Sequence, residues 1–330
     1  MDKKINGLAH SLSLKTNDKE QLNEETISDI LENNIRETMP EILDILLIDR
    51  TTSKSNSRKN IIWANDNYSK YDAKQYAPTA QIKPNLITGI MGHLIMPRAL
   101  KDKQLQKERT KSKAEVFTPT WIVKLQNDEI DKNYQEDDLE TYIKRTWLEI
   151  TCGEAPYMAT RYDMETGDII PLEERQGFVD RKLSRINAEI TDKAEWQKLV
   201  ELAYKSSYGY EWNGDSLLLA RENLLYTYRD YYFVKWEEEP KYRLFKDIAE
   251  IISYNVFQMD GLKFIIPLTE HKVKKEVELT LDFGLGDDVF SGVTLEENPE
   301  EAGWETVPGK PVMIMNWETN KRERFDKGVV

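Results

Sequence analysis

The chain alternates between stretches of helical periodicity and short apolar runs closed by turn residues. From Asn23 to Leu47 the apolar positions Ile27, Ile30, Leu31, Ile35, Met39, Ile42 and Leu46 recur at steps of three and four, with one shorter step, which predicts a helix. Asn23-Glu24-Glu25-Thr26 offers capping residues, and Pro40, lacking an amide donor, is expected to kink or divide the helix. Residues 51–60 form a polar break. A short strand at Ile61–Ala64 and a turn at Asn65-Asp66-Asn67 follow. Between 78 and 100, Pro78, Pro84, Gly89, Gly92 and Pro97 interrupt apolar residues, which predicts a buried, loop-rich packing segment.

Beyond this point helices and strands alternate. Asp137–Thr146 reads as a helix leading into a strand at Trp147. Helices are expected at 178–190 and 194–204, a strand near Tyr208–Trp212, and a strong helix from Ser216 to Leu225 capped by Asp215 or Ser216. Tyr242–Ile252 carries an apolar face of Leu244, Phe245 and Ile248, and Tyr254–Leu262 reads as a further strand and its turn. Val277, Leu279 and Leu281 suggest a strand within 274–281, and residues 311–330 a final hairpin or edge strand.

Several strand ends and turns hold candidate chemistry. In Trp147-Leu148-Glu149-Ile150-Thr151-Cys152-Gly153-Glu154-Ala155-Pro156-Tyr157-Met158, an apolar run passes into a tight turn and then an expected helix. In open α/β sheets ligands sit beyond the carboxyl ends of strands, and a glycine lets backbone approach them closely. Glu149 and Gly153 are therefore placed to touch a ligand. Cys152 reads as a small buried turn residue rather than a reactive thiol. Glu211, in Tyr208-Gly209-Tyr210-Glu211-Trp212, stands where an acid accepts hydrogen bonds from ribose hydroxyls; the plainer reading is a surface acid in a β-turn-α connection. Thr118 precedes Pro119 as an N-cap with proline at the first helical position, which is either an ordinary cap or a place for a ligand carboxylate. Asp260, before Gly261, is either a turn residue or a ligand contact.

Composition narrows the classes. The 330 residues include 32% charged side chains, a single cysteine and three scattered histidines, which argues against disulfides and against a metal site. No apolar run reaches the roughly 18 residues of a membrane span, and the first residues lack a signal-peptide core, so a soluble, cytoplasmic protein without membrane partners is expected. No phosphate-binding G-x-x-x-x-G-K-[ST] and no G-x-S-x-G elbow occurs. The net charge is −13, but residues 50–113 hold fourteen Lys or Arg against four acids. That stretch is +10 and the remainder −23. A basic arm on an acidic body suits DNA phosphate contacts, or else is a solvated linker.

The order of Ala114-Glu115-Val116-Phe117-Thr118-Pro119, Trp147–Met158, Tyr208–Trp212 and Val256-Phe257-Gln258-Met259-Asp260-Gly261-Leu262 resembles the N6-adenine DNA methyltransferases of restriction-modification systems, and more narrowly their M-subunit-like members. The resemblance spans about residues 110 to 265. It implies a Rossmann-like class I methyltransferase sheet and S-adenosylmethionine as cofactor. Thr118 would lie at its methionine end, Glu149, Cys152 and Gly153 beside it, Glu211 on the ribose and Asp260 near the adenine. It also implies DNA and a restriction or specificity subunit as partners.

The chain departs from that family in two places. The catalytic Asn/Asp-Pro-Pro-aromatic stretch is missing, since none of the twelve prolines are adjacent. The nearest substitutes are Pro267, and Asn316 with Trp317. In the glycine turn, Ile150 and Ala155 stand where the family has proline and a second glycine, and Glu154 adds a charge. Three regions are expected: a helical region with the basic arm (1–110), a methyltransferase-like domain (111–268) and an acidic, β-rich appendage (269–330). Two functions remain open: an adenine-N6 methyltransferase or modification subunit, and an inactive methyltransferase-like scaffold for DNA or a partner.

Overall fold

Among the described residues the first helix opens on a proline. In the structure, a computed structural model that describes residues 39–101, 118–274 and 304–328, helix α1 runs Pro40–Leu46 with the proline at its first position. There the missing amide costs nothing. The expected helical residues 23–38 lie outside the described ones. Residues 47–101 pass over the body as loops and three short 3-10 turns, tied by single bridges such as Ile62↔Gln81, so Ile61–Ala64 forms no full strand. Trp63, Ile82, Ile87 and Ile95 are nevertheless fully buried, as the apolar pattern of this segment requires.

Helices α2 (Thr120–Asp131) and α3 (Leu139–Lys144) precede strand β1 (Trp147–Glu149). Pro119 occupies the N-cap position of α2 and Thr118 lies outside it, one residue earlier than expected. A long connection leads to α4 (Phe178–Glu189) and α5 (Lys193–Lys205), then β2 (Ser207–Glu211). Next come α6 (Gly214–Trp236), α7 (Tyr242–Asn255) and β3 (Val256–Gln258). The three strands form a parallel sheet in the order β1-β2-β3, with Glu149 beside Gly209 and Glu211 beside Gln258. The fold is thus mixed α/β, as expected.

Helix α6 is buried on nearly every face of its first four turns, so polar residues such as Asp215, Arg221 and Asn223 are buried there along with its leucines and tyrosines. Gly214 starts it because a Cβ there would lie 2.0 Å from the Ile62 carbonyl oxygen. Arg221, 1% exposed on this helix, donates from one guanidinium to the carbonyls of Val256 (2.8 Å), Ile48 (3.0 Å), Ser253 (3.2 Å) and Leu46. Those carbonyls lie at the end of α1, the end of α7 and the start of β3. The guanidinium replaces the amides that these chain ends lack, since a buried carbonyl left unpaired is costly. Arg50 adds a second tie, its Nε 2.8 Å from Ser253 Oγ and its guanidinium over the Tyr254 ring.

Two small antiparallel pairs complete the described chain. They are β4 (His271–Lys274) with β5 (Trp304–Val307), and β6 (Met313–Asn316) with β7 (Lys321–Arg324), the latter running into α8 (Phe325–Gly328). Val312 and Ile314 join Tyr210, Phe257, Met259 and Ile266 in a satellite apolar cluster. The strand expected within 274–281 lies, apart from Lys274, outside the described residues, as does most of the acidic stretch.

Candidate ligand site at the carboxyl ends of the strands

Beyond Glu149 the chain turns sharply. Thr151, Gly153 and Ala155 take positive φ values of 48°, 55° and 62°. Ala155 therefore adopts the left-handed backbone that a second glycine would take without strain, its methyl fully buried. Only one helical turn follows, closed by Ala159 N on Ala155 O (2.9 Å), and the next helix is α4. The helix expected directly after this turn is absent because Glu149 captures its opening amides. Its Oε1 accepts from Tyr157 N (3.2 Å) and its Oε2 from Met158 N (2.9 Å).

Glu211 grips the other arm of the same turn. Its Oε2 accepts from Gly153 N (2.9 Å) and its Oε1 from Asn213 N (3.0 Å). Cys152 N donates to Tyr210 O (2.8 Å), so the turn hangs from β2 by main chain and side chain together. Gly209 makes room for this on β2: a Cβ there would stand 3.1 Å from Met158 Sδ and 3.4 Å from Cys152 Sγ.

A cavity of about 590 Å³ opens over the turn. Thr118, Glu149, Cys152, Gly153 and Glu211 line it, together with Ile130, Tyr157, Asn213 and Ser216. Helix α2 forms one wall. It is held there by Asn127, whose Nδ2 donates to the carbonyls of Tyr157 (3.1 Å) and Gln176 (3.0 Å), and by Thr120 Oγ1 on Asp163 (2.7 Å). Among the described residues no Lys, Arg or His lines the cavity. Burial pushes Glu149 up to about 8, with the Glu211 charge adding to it against the two amides, and burial likewise raises Glu211. Burial and the two glutamates together push the Cys152 thiol well up, so it is no nucleophile at neutral pH.

The other candidates lie elsewhere. Asp260 follows β3 but closes a local turn, its Oδ1 accepting from Leu262 N (2.9 Å) and Lys263 N (3.2 Å), and it does not line the cavity. Pro267 follows Ile266 of the satellite cluster. Asn316 caps the β6-β7 turn through Glu318 N and Thr319 N (3.0 Å each). Trp317 Nε1 donates to Asn255 Oδ1 (2.8 Å), just before β3, so both sit at the amino end of the sheet, opposite the cavity. Glu154 points away from the cavity as well. It accepts from Arg98 N (2.8 Å) and Tyr162 Oη (2.7 Å), anchoring the 98–101 segment.

Within the basic stretch, Arg50 and Lys101 turn inward, whereas Lys54, Lys59, Lys70, Lys74 and Lys83 are exposed; 102–113 lie outside the described residues. Sequence reasoning missed Asn127 and Asn213, and only the acid two residues before Asn213 marks that position. Compared with known proteins, the chain matches no family model, no curated protein and no solved structure. No described helix is long and apolar enough to cross a membrane.

Proposed function

We propose that the chain is the S-adenosylmethionine-binding, methyltransferase-like subunit of a DNA-modification system acting at adenine N6 in the cytoplasm. One observation carries this reading: a cavity at the carboxyl ends of the parallel strands β1 and β2 holds two buried carboxylates and, among the described residues, no cation. Phosphate-bearing cofactors need free amides or basic side chains. Here the amides of Gly153, Tyr157 and Met158 are already taken by Glu211 and Glu149. S-adenosylmethionine has no phosphate and carries a sulfonium and an ammonium, so two carboxylates suit it. The sheet order and helical crossovers agree with one βαβαβ half of a doubly wound, Rossmann-like fold.

In this reading Glu211 keeps lone pairs for the ribose hydroxyls, Glu149 faces the cationic portion, and Thr118 stands at the mouth of the cavity. Methyl transfer is a direct displacement at the sulfonium carbon, for which the protein aligns donor and acceptor. The target adenine must be flipped out and its amine held. Asn316 and Trp317 are committed to a turn and to Asn255, which favours supply of that function by a partner subunit, or a scaffold without catalysis. Exposed lysines between 54 and 83 offer DNA phosphate contacts.

Calorimetric titration of S-adenosylmethionine, with Glu211→Ala as control, tests the reading. Binding is expected for the wild type and lost in the variant. A cation also draws Glu149 into its charged form, so binding near pH 7 releases protons and tightens as pH rises toward 8. A folded wild type that binds nothing would sink the proposal. Labelled methyl transfer to DNA by the isolated chain would remove the need for a partner.

A further inference from the structure

The charges around the turn after β1 add up on the negative side. Glu149 and Glu211 are both buried, and each is met by two main-chain amides rather than by a cation. Glu211 acts on Glu149, and Asp215, buried in the first turn of α6, acts on Glu211. Asp215 accepts from the neutral groups Asn65 Nδ2 (3.0 Å) and Tyr68 Oη (2.7 Å). Arg221 acts on the turn at Cys152, but it does not line the cavity. Its guanidinium is committed to four carbonyls and faces Asp49.

Within this cluster Glu149 is fixed in position. Its two oxygens are held by Tyr157 N and Met158 N, so the carboxyl stays at the cavity whether or not it carries a proton. Burial first, and the Glu211 charge after it, set Glu149 at about 8, so near neutral pH it keeps its proton. A cation placed in the cavity favours the carboxylate, whereas a neutral group leaves the proton where it is.

S-adenosylmethionine and the S-adenosylhomocysteine left by methyl transfer share adenine, ribose, ammonium and carboxylate. They differ by one methyl group and by the charge on sulfur. Contacts to the shared parts cancel when the two are compared, those of Glu211 to the ribose included. We propose, building on the cofactor reading above, that Glu149 makes the site select by charge, holding S-adenosylmethionine and releasing its demethylated product.

The test is calorimetric titration of both compounds into the full chain at pH 7, in two buffers of different ionisation heat. S-adenosylmethionine is expected to bind at least about tenfold tighter, beyond the about fourfold that a buried methyl group supplies. It is also expected to release roughly 0.9 proton more per site than S-adenosylhomocysteine, because only the cation draws the proton off Glu149. Sinefungin, which carries an ammonium in place of the sulfonium, should group with S-adenosylmethionine in both respects. In Glu149→Gln the preference is expected to fall to about fourfold, with both compounds still bound. The proton count is read on the wild type and does not depend on that variant folding. Equal binding of the two compounds, equal proton release, or an unchanged preference in a folded Glu149→Gln would each overturn the proposal and leave the cofactor reading standing. A folded wild type that binds neither compound would remove both.

Discussion

Replacing Glu149 by glutamine is expected to remove most of one pH-dependent component of stability. The carboxyl is buried, and its value rises from an ordinary 4.5 to about 8 in the folded chain. At 1.36 kcal/mol per pH unit, that interval corresponds to roughly 5 kcal/mol in full. Between the two values the folded chain holds a proton that the unfolded chain has released. The contribution is therefore present below pH 4.5 and lost as pH rises through about 8. Over the range from pH 5.5 to 8.0 the loss amounts to about 3 kcal/mol. The glutamine side chain cannot ionise but keeps the shape of the protonated acid. Urea unfolding, followed by tryptophan fluorescence at several pH values, should show wild type and variant diverging by that amount, with the variant relatively favoured at pH 8. Stability curves that stay parallel within about 0.5 kcal/mol would refute the buried, raised carboxyl.

Three further outcomes are expected. Arg221→Met leaves four buried carbonyls without their donor and should cost about 3 kcal/mol or more in the same urea assay, with loss of α1 docking visible as faster hydrogen exchange. Gly214→Ala should destabilise by about 2 kcal/mol or more, against the ~1 kcal/mol helix preference for alanine, because the new Cβ meets the Ile62 carbonyl. Trp317→Phe should leave S-adenosylmethionine affinity within about twofold of wild type in calorimetry, since the indole lies at the far end of the sheet.

The helices were legible wherever one face is buried: the expected 178–190 and 242–252 match α4 and α7 within a few residues, and Phe245 and Ile248 of the expected apolar face are buried. The strands were legible as apolar runs ended by acids, and Glu149 and Glu211 reach one cavity because parallel pairing puts both carboxyl ends on the same side. Asp260 escaped that logic: β3 ends at Gln258, two residues earlier, and the aspartate finds amides of its own. Pro119 misled because a proline's local effect depends on where the helix begins, which packing decides. The pairing of Arg161 and Arg175 with Asp230 could not be seen at all. Its members come from separate segments and meet only when the connection after β1 folds against α6.

The Arg221 clamp has a consequence for synthesis. Leu46 and Arg221 are separated by 175 residues, and Arg50 and Ser253 by 203. Among the described residues, the helices packed on α1 are α6 and α7, which the ribosome delivers much later. At ~5–20 residues per second that interval is about 10–40 s. Throughout it Ile42, Leu43 and Leu46, all fully buried in the finished protein, lack the cover of α6 and α7. Helix α1 is thus made well before its clamp is closed, so expression at low temperature or with a holdase present should raise the yield of folded protein.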